Sequence, residues 1–353
     1  MRVVVNDIAA SEGGAMSVLK DFYEEVREFG ADHEWIFLLG DYYLEETPNI
    51  KVYVYPEIKK SWLKRLNFDF YFGKKIINEF NPDIYLSLQN TATLGVKATQ
   101  IVYLHQCLPY QKERNFSLFK KEEYKYAIYQ RYIGTIYNFL FRVTAANIIV
   151  QTKWMKSTLQ SKLSNSIYQI YPNLIIENNK DFKLATKPIK FFYPAADLLY
   201  KNHEIIFEAV NKLVKKNVGD FKVYLTINKK EIKNEEFYCF LGNIPQEEVF
   251  SYYQNSVLLF PSYIETYGLP LKEAQFFGTP ILASKTDFSK EVLTGYSKKK
   301  FFHKYSSDEL SILMKELINK QEDYRLANQS NNEKKKIASG SLVELIISLK
   351  NMS

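Results

Sequence analysis

Cysteine is scarce in this chain, which has two cysteines among 353 residues. Cys107 and Cys239 lie far apart and form no metal-type spacing with one another. A disulfide framework of the kind found in small secreted domains is therefore excluded. No carboxylate-rich metal motif stands out either. We expect free thiols in a reducing cytoplasm, no metal site and no bound cofactor.

Long apolar segments are also missing, because no run approaches the roughly 18 residues needed to cross a bilayer. The chain passes from Met1 directly into a predicted strand, so we expect no signal peptide. Both observations favour a cytoplasmic protein that is either soluble or attached to the inner face of the plasma membrane.

A strong excess of one charge is absent as well, since the net charge is +7 over 353 residues. This balance argues against a dedicated nucleic-acid binder but fits attraction to anionic substrates or to an anionic membrane face. With 46% hydrophobic and 25% charged residues the composition is globular, and the length suits two domains.

The most informative stretch that is present is 257–284, which reads VLLFPSYIETYGLPLKEAQFFGTPILAS. Its apolar residues 257–260 predict a buried strand, and Pro270 suits the start of a helix over 271–277. Gly278 is a natural residue to end that helix, and a second strand follows. The loop before the helix lies at the carboxyl ends of parallel strands, where open sheets bind ligands.

Two glutamates mark this loop, with Glu265 before the helix and Glu273 in its first turn. A helix start offers unpaired N–H groups and a partial positive charge, which together suit a diphosphate. Carboxylates repel phosphate, so hydroxyl groups are their expected partners, and a nucleotide sugar supplies both groups. The alternative is that both glutamates merely complement the helix dipole and face solvent.

The whole string resembles the signature of the retaining glycosyltransferases of family 4. That family has the α/β fold called GT-B, in which two Rossmann-like domains with parallel sheets face a central cleft. One departure is Thr266, where the family usually has glycine, and this makes the loop stiffer. The matching residues are Pro261, Ser262, Glu265, Tyr267, Gly268, Leu269, Pro270, Glu273, Ala274, Gly278, Pro280 and Ser284.

The resemblance implies transfer of a sugar from a nucleoside diphosphate to a hydroxyl acceptor, with retention at the anomeric carbon. It makes Glu265 a catalytic residue that holds donor-sugar hydroxyls, and Glu273 the partner of the ribose diol. Backbone N–H groups around Gly268 and Leu269 take up phosphate charge as the bond breaks. The donor-binding residues implied on this segment are Thr266, Tyr267, Gly268, Leu269 and Glu273.

Glycines follow the first predicted strand, over residues 2–5, and precede a helix of apolar periodicity. Gly13 and Gly14 let a phosphate or sugar approach the backbone, although a plain tight turn is an equal alternative. No dinucleotide fingerprint of the form Gly-x-Gly-x-x-Gly is present. Because the resembled family has such a loop facing the cleft, we place Gly13, Gly14 and Ala15 near the diphosphate or the acceptor.

His105 follows a predicted strand over 100–104, at the ligand side of the sheet. It resembles the histidine that several members of the family place against the donor sugar, which implies a hydrogen bond to a sugar hydroxyl or to developing charge. The alternative is a structural histidine.

Lys201 precedes a predicted helix, where a cation is unfavourable unless a bound diphosphate compensates it. In the resembled family a Gly-Arg pair stands before this lysine, and both cations bind the diphosphate. Here the equivalent residues 195–197 read Ala-Ala-Asp, so the arginine is missing. The resemblance implies that Lys201 is catalytic together with His105 and Glu265, and with helix N-termini it can replace a divalent metal ion. A solvated lysine is the alternative. The resemblance also places the turn with Gly242 and Ile244 beside the nucleotide base.

Basic and aromatic residues alternate over 59–75, which begins Lys-Lys-Ser-Trp-Leu-Lys-Arg-Leu. This pattern is typical of a segment that lies on an anionic membrane. An ordinary helix with its aromatic side chains in the core and its lysines in water is the alternative, with equal weight.

Two domains and a terminal helix are predicted. Residues 1–172 form the acceptor-binding domain and 173–330 the nucleotide-sugar-binding domain, joined by a polar linker after Tyr171. In 331–353, a helix over 342–349 packs back across the first domain.

The sequence thus predicts a glycosyltransferase with a nucleotide-sugar donor and a glycan or lipid-linked glycan acceptor, in bacterial surface polysaccharide assembly. A nucleotide-sugar epimerase of the same fold is one alternative, and it needs further cleft carboxylates for proton abstraction. A catalytically silent relative that binds a partner is the other, suggested by the missing arginine.

Overall fold

Two parallel β-sheets organise the chain, one of seven strands and one of six. The structure is a computed structural model, which describes residues 1–10, 13–172, 188–319 and 340–350. The alternation of strand and helix predicted from the sequence is confirmed, and each sheet is one Rossmann-like unit. Most of the predicted linker lies outside the described residues.

The amino-terminal sheet contains β1 (Arg2–Asp7), β2 (Glu34–Leu39), β3 (Ile50–Val54), β4 (Ile84–Ser87), β5 (Thr99–Leu104), β6 (Asn147–Val150) and β7 (Ile167–Gln169). Its strand order is β3-β2-β1-β4-β5-β6-β7, and all neighbours are parallel. In the central strand, Val3, Val4 and Val5 are fully buried, because helices cover both faces of a parallel sheet.

The helices of this domain are α1 (Gly13–Phe29), α2 (Pro56–Lys59), α3 (Trp62–Asn67), α4 (Gly73–Glu79), α5 (Tyr124–Ile128), α6 (Gly134–Thr144) and α7 (Lys153–Gln160). Single π-helical turns, Phe68–Phe72 and Tyr129–Ile133, join α3 to α4 and α5 to α6. Helical structure therefore runs without a break from Trp62 to Glu79.

The segment 59–75 places some aromatic and apolar side chains in the core and others at the surface. Phe68 is fully buried in the core, whereas Leu63 and Tyr71 are 71% and 70% exposed. Apolar side chains from this segment therefore serve both the core and the surface.

The carboxyl-terminal sheet contains β8 (Ile189–Tyr193), β9 (Phe221–Leu225), β10 (Tyr238–Phe240), β11 (Val257–Phe260), β12 (Ile281–Ser284) and β13 (Lys299–Phe302). The accompanying helices are α8 (His203–Lys215), α9 (Gln246–Asn255), α10 (Leu269–Phe276), α11 (Asp287–Val292) and α12 (Ser307–Asn319). The order β10-β9-β8-β11-β12-β13 is again fully parallel, which puts the loop between β11 and α10 near the centre of the carboxyl edge.

The last described helix, α13 (Leu342–Lys350), packs on the amino-terminal domain although it follows the carboxyl-terminal one. Val343 and Ile346 are fully buried in the same core as Val3. The backbone N–H of Val343 donates to Glu25 Oε1 at 3.2 Å. Lys350 forms an ion pair with Asp83. This helix therefore ties the end of the described chain to its first sheet.

Within the described residues, no helix is long and apolar enough to cross a membrane. Both cysteines are free thiols. Burial raises the pKa of the Cys107 thiol to about 12, so this side chain behaves as a small apolar group.

Truncating the buried face of α13 tests its contribution to the first domain. Ile346→Ala should lower the free energy of unfolding by about 2–5 kcal/mol, because it leaves a cavity in the core. The chain's 3 tryptophans, at positions 35, 62 and 154, all lie in the amino-terminal domain, so urea denaturation followed by their fluorescence reports on that domain. Glu344→Ala, at an exposed site of the same helix, is the control and should change little.

Candidate active site

The carboxyl ends of the two sheets meet across a cleft. Thr266 follows β11 in the second domain, and its Oγ1 donates to the backbone carbonyl of His105, which follows β5 in the first domain, at 2.8 Å. The Thr266 carbonyl accepts from Thr152 Oγ1 at 3.1 Å and from Trp154 Nε1 at 3.2 Å. The residue that departs from the family pattern is therefore buried in the contact between domains.

Further polar contacts hold the domains together. Glu291 of the second domain accepts from the backbone N–H groups of Lys153 and Trp154 at 2.7 and 3.1 Å, and so caps the start of α7. Arg114 of the first domain donates to Tyr263 Oη at 3.1 Å. These contacts describe a closed arrangement in which the predicted site residues of both domains come close.

Lys201 and Glu265 lie side by side in the cleft. Lys201 Nζ is 2.5 Å from Glu265 Oε1, and the two side chains are 18% and 15% exposed. Ser262 Oγ donates to the same carboxylate oxygen at 2.8 Å. The two residues predicted to bind different parts of the donor are thus paired with one another. An ammonium group has three donors, so Lys201 can bind a phosphate oxygen without leaving Glu265.

The position of Lys201 is fixed by the turn before α8. Lys201 ends a 3₁₀ turn, and its carbonyl accepts from Tyr193 Oη at 2.9 Å. Asn202 adopts a left-handed conformation with φ of 60°, which ends the turn and delays the start of α8 to His203. Asn202 Nδ2 also donates to the Lys304 carbonyl at 2.9 Å.

Helix α10 begins at Leu269, two residues earlier than predicted, which corrects the expected position of Glu273. Gly268 has φ of 85° and directly precedes the helix, and the N–H of Leu271 already bonds to its carbonyl at 2.9 Å. Glu273 therefore lies in the second turn of α10 and not in the first. The helix end at Gly278, with φ of 72°, agrees with the prediction.

Glu273 is partly buried, and the pKa of its carboxyl group is raised. Burial, and to a smaller extent repulsion from Asp21 of α1, raise its pKa to about 7, while a hydrogen bond from Tyr253 acts in the opposite direction. Tyr253 Oη donates to Glu273 Oε2 at 2.9 Å. Near neutral pH this carboxyl group therefore exists in both protonation states, and it can donate as well as accept a hydrogen bond.

His105 has a defined tautomer. Its Nε2 lies 2.8 Å from the Leu88 carbonyl, which can only accept, so Nε2 carries the proton. Burial lowers the pKa of the imidazole, which keeps it neutral. Nδ1 is therefore an acceptor, and within the described part of the chain it makes no hydrogen bond.

The predicted glycines and their neighbours are distributed around the cleft. A Cβ on Gly14, at the start of α1, would meet nothing within 4 Å, so the backbone there is open to a ligand. Ala15 lines a pocket of about 240 Å³ together with His105. In the second domain, Gly242 forms a left-handed turn with φ of 66°, and Ile244 packs on the domain core.

Tyr267 does not present its side chain to the cleft. Its ring is 5% exposed and packs against Tyr171, with ring centroids 5.9 Å apart. The aromatic position of the signature is thus a core residue that supports the loop, and its backbone alone remains for a donor. Leu269, the first residue of α10, likewise packs on the core.

Lys230 is a basic residue beside this site that the sequence did not indicate. Its Nζ lies 2.8 Å from Oδ1 of Asp197, which belongs to the stretch 195–197 where the family's arginine is missing. Lys201 and Lys230 both act electrostatically on His203, which places the two cations on one side of the cleft. Within residues 1–10, 13–172, 188–319 and 340–350, no group of three His, Cys, Asp or Glu side chains could hold a metal ion.

Comparison with known proteins bears on the fold and on the family of part of the chain. Residues 175–336 match the family described as glycosyl transferases group 1. The whole structure is similar to sucrose-phosphate synthase from Thermosynechococcus elongatus, with 12% identity, coverage of 99% of this chain and 98% of that chain, and a TM-score of 0.67. The fold is GT-B.

Two other GT-B structures illustrate the same likeness. WaaG, a glycosyltransferase involved in lipopolysaccharide biosynthesis, shows 13% identity, 99% coverage of both chains and a TM-score of 0.66. HepE of Anabaena, in complex with UDP and glucose, shows 14% identity, 93% coverage of both chains and a TM-score of 0.60. No protein of curated function is similar enough in sequence to match. Identities this low show the fold alone, and the family match covers fewer than half of the 353 residues.

The raised pKa of Glu273 predicts how the stability of the protein changes with pH. The pKa of Glu273 is about 7 in the folded state and 4.5 ordinarily. The contribution of this residue to the free energy of unfolding is therefore fully present below pH 4.5 and is lost as the pH rises through 7. As the pH rises from 5 to 8, the free energy of unfolding of the wild type should therefore fall by about 2 kcal/mol more than that of Glu273→Gln. Urea denaturation followed by circular dichroism measures this difference.

The matched control for that experiment is Glu247→Gln, because Glu247 is exposed on the neighbouring helix α9. It should keep the wild-type pH dependence. An identical pH dependence for Glu273→Gln and the wild type would contradict the assigned pKa.

Proposed function

We propose that this protein is a retaining glycosyltransferase of family 4 that transfers a sugar from a nucleoside diphosphate to a hydroxyl group of a glycan or lipid-linked glycan. The observation that carries the proposal is the Lys201–Glu265 pair, which faces the cleft on one domain while His105 faces it on the other. A cation for phosphate, an acid for hydroxyls and a neutral imidazole are the groups that such a donor requires.

Departure of the diphosphate is the step that needs charge stabilisation. Lys201 neutralises phosphate charge, and the N–H groups that open α10 after Gly268 add the positive end of the helix dipole. The acceptor attacks from the face on which the phosphate leaves, and the leaving phosphate takes the acceptor proton. In this proposal no metal ion takes part, because the lysine and the helix start supply the positive charge.

The remaining groups orient the donor. Glu265, held by Ser262 and Lys201, accepts hydrogen bonds from donor-sugar hydroxyls, and His105 Nδ1 accepts one from the opposite side. Glu273 binds the two ribose hydroxyls, for which a carboxyl group that both donates and accepts is well suited. Closure between the domains excludes water and so favours transfer over hydrolysis.

Lys230 supplies the second cation that the missing arginine would have provided. Its present partner Asp197 is 53% exposed, so the ion pair is weak and a diphosphate can compete for the lysine. Long flexible side chains of this kind reach a ligand from a neighbouring loop without any change in the backbone.

The setting we propose is surface polysaccharide assembly at the cytoplasmic face of a bacterial membrane. WaaG is described as a lipopolysaccharide enzyme and HepE was solved with UDP and glucose, which supports a nucleotide-sugar donor and this setting. Leu63 and Tyr71 are exposed on the helices of the segment 59–75, beside lysines, and this composition suits insertion into an anionic interface.

Removal of the cleft lysine tests the proposal. Wild-type protein should be stabilised by one of UDP-, GDP- and CMP-sugars in a thermal-shift panel, because a ligand that binds the folded state raises the melting temperature. Lys201→Met should then lower sugar transfer by about 10²–10³-fold, since it removes one charge stabiliser of the leaving group. Product stereochemistry is read from the anomeric proton by NMR.

Lys212→Met is the matched control, because Lys212 lies on the adjoining helix α8 and pairs with Asp308 at the surface. It should retain full activity. Release of an altered sugar nucleotide without any acceptor would favour the epimerase instead, and no response to any nucleotide sugar would favour the silent relative.

The membrane contact has its own test. Replacing both Leu63 and Tyr71 by serine should reduce co-sedimentation with phosphatidylglycerol vesicles by about tenfold or more, because two apolar anchors are lost. Serine at Tyr42, which is 76% exposed elsewhere on the same domain, is the control. Equal sedimentation of the variant and the control would rule out this face as the membrane contact.

A further inference from the structure

A short loop of the first domain, residues 111–114, reads Gln-Lys-Glu-Arg and follows β5. We call it the Gln111 loop, because the buried side chain of Gln111 organises it. Gln111 Oε1 accepts from the backbone N–H groups of Glu113 at 2.7 Å and Arg114 at 3.0 Å, and its Nε2 donates to the Arg114 carbonyl at 2.7 Å. Since backbone groups need such partners, the loop is held in one conformation and presents Glu113 and Arg114 in a fixed arrangement.

Glu113 of this loop contacts the second domain through Lys304, which follows β13. The two side chains form an ion pair, and they are 27% and 15% exposed. Lys304 Nζ also donates to the Glu113 carbonyl at 3.0 Å, and Tyr305 Oη donates to the same carbonyl at 3.1 Å. A charge pair shielded from solvent in this way is screened less by salt than a pair at the surface. The domains are therefore joined here by a charge pair and by two hydrogen bonds to one carbonyl group.

Arg114 makes a second contact beside the first. Its guanidinium group donates to Tyr263 Oη at 3.1 Å, and to Oε1 of Glu123, a buried residue of its own domain, at 2.7 Å. The buried ring of Tyr263 lies next to the ring of Tyr305, with centroids 5.9 Å apart. The Gln111 loop therefore meets one continuous surface of the second domain, which is formed by Tyr263, Lys304 and Tyr305.

The same surface holds the turn that carries Lys201. The backbone N–H of Tyr263 donates at 3.1 Å to the carbonyl of Tyr200, the residue directly before Lys201. Asn202, the residue directly after it, donates through Nδ2 to the carbonyl of Lys304 at 2.9 Å. Lys201 is therefore held on both sides by residues that the first domain contacts. A shift of the Gln111 loop is transmitted to this lysine through these two hydrogen bonds.

We infer that Glu113 and Lys304 are positioning residues, which fix the place of Lys201 only when the two domains are closed. The inference rests on the proposed function, in which Lys201 neutralises the leaving phosphate. In an open protein the ion pair is absent, and the turn with Lys201 loses its support from the first domain. Charge stabilisation therefore becomes complete only after closure, when water is already excluded and transfer is favoured over hydrolysis.

Removal of the ion pair tests this role in steady-state kinetics of the full chain. Lys304→Met should lower kcat by about tenfold or more, because a small displacement of a charge stabiliser acts on the transition state. The KM for the nucleotide sugar should change less than about twofold, since the proposed donor contacts do not include Lys304. Glu113→Gln should have the same effect. The double variant should be no worse than either single variant, because both substitutions act through one contact.

Hydrogen exchange of the free protein, measured by mass spectrometry, gives a readout that needs no substrate. In both single variants the amides of residues 199–202 should exchange about tenfold faster than in the wild type, because their turn opens more readily. Lys304→Arg should restore both kcat and the exchange rate, since arginine keeps the charge and the donors. Lys300→Met is the matched control, because Lys300 pairs with Glu316 inside the second domain, and it should behave as the wild type.

Unchanged kcat and unchanged exchange in both Lys304→Met and Glu113→Gln would overturn the inference. A higher KM with an unchanged kcat would also overturn it, because the ion pair would then act on donor binding alone. Equal losses in Lys300→Met would show a general effect of removing a lysine and would count against it in the same way. If the wild type transfers no sugar while the two variants exchange faster, the coupling of Lys201 to the first domain stands and the proposed function is contradicted instead.

Discussion

A lysine and a glutamate that share a partly buried cleft must balance one another's charge before any ligand arrives. Lys201 and Glu265 do this here, and they come from loops that follow β8 and β11, two neighbouring strands. Desolvating either charge alone is costly, so each residue holds the other in place. In the proposed complex Lys201 binds a phosphate oxygen while it stays paired with Glu265, and the remaining lone pairs of the carboxylate accept sugar hydroxyls.

The two domains divide the electrostatic tasks around this pair. Basic side chains gather on the second domain, with Lys201 and Lys230 on one side of the cleft. Buried acids with raised pKa values, Asp7 and Asp69, line the first domain. The two faces of the cleft therefore differ in the types of ionisable side chain that they carry. Thr266 joins the faces through its hydrogen bond to His105, a contact that glycine at this position could not make.

Local sequence patterns were sufficient for most of the fold, because buried parallel strands are short apolar runs and their ligand-side loops carry turn residues. They do not mark β13, which carries Lys299 and Lys300 and pairs with β12 at the edge of the sheet. Within the site, the loop with Glu265 was predicted from its resemblance to a family signature. The Lys230–Asp197 ion pair and the burial of Asp7 and Asp69 depend on contacts between segments that are distant in sequence, which no local pattern encodes.

The measurement that tests the account most directly is a crystal structure of the protein with a non-hydrolysable nucleotide sugar. We predict a phosphate oxygen within hydrogen-bond distance of Lys201 Nζ, and donor-sugar hydroxyls on Glu265, between the two domains. A nucleotide sugar bound outside this cleft, or bound in it with neither Lys201 nor Glu265 in contact, would contradict the central claim.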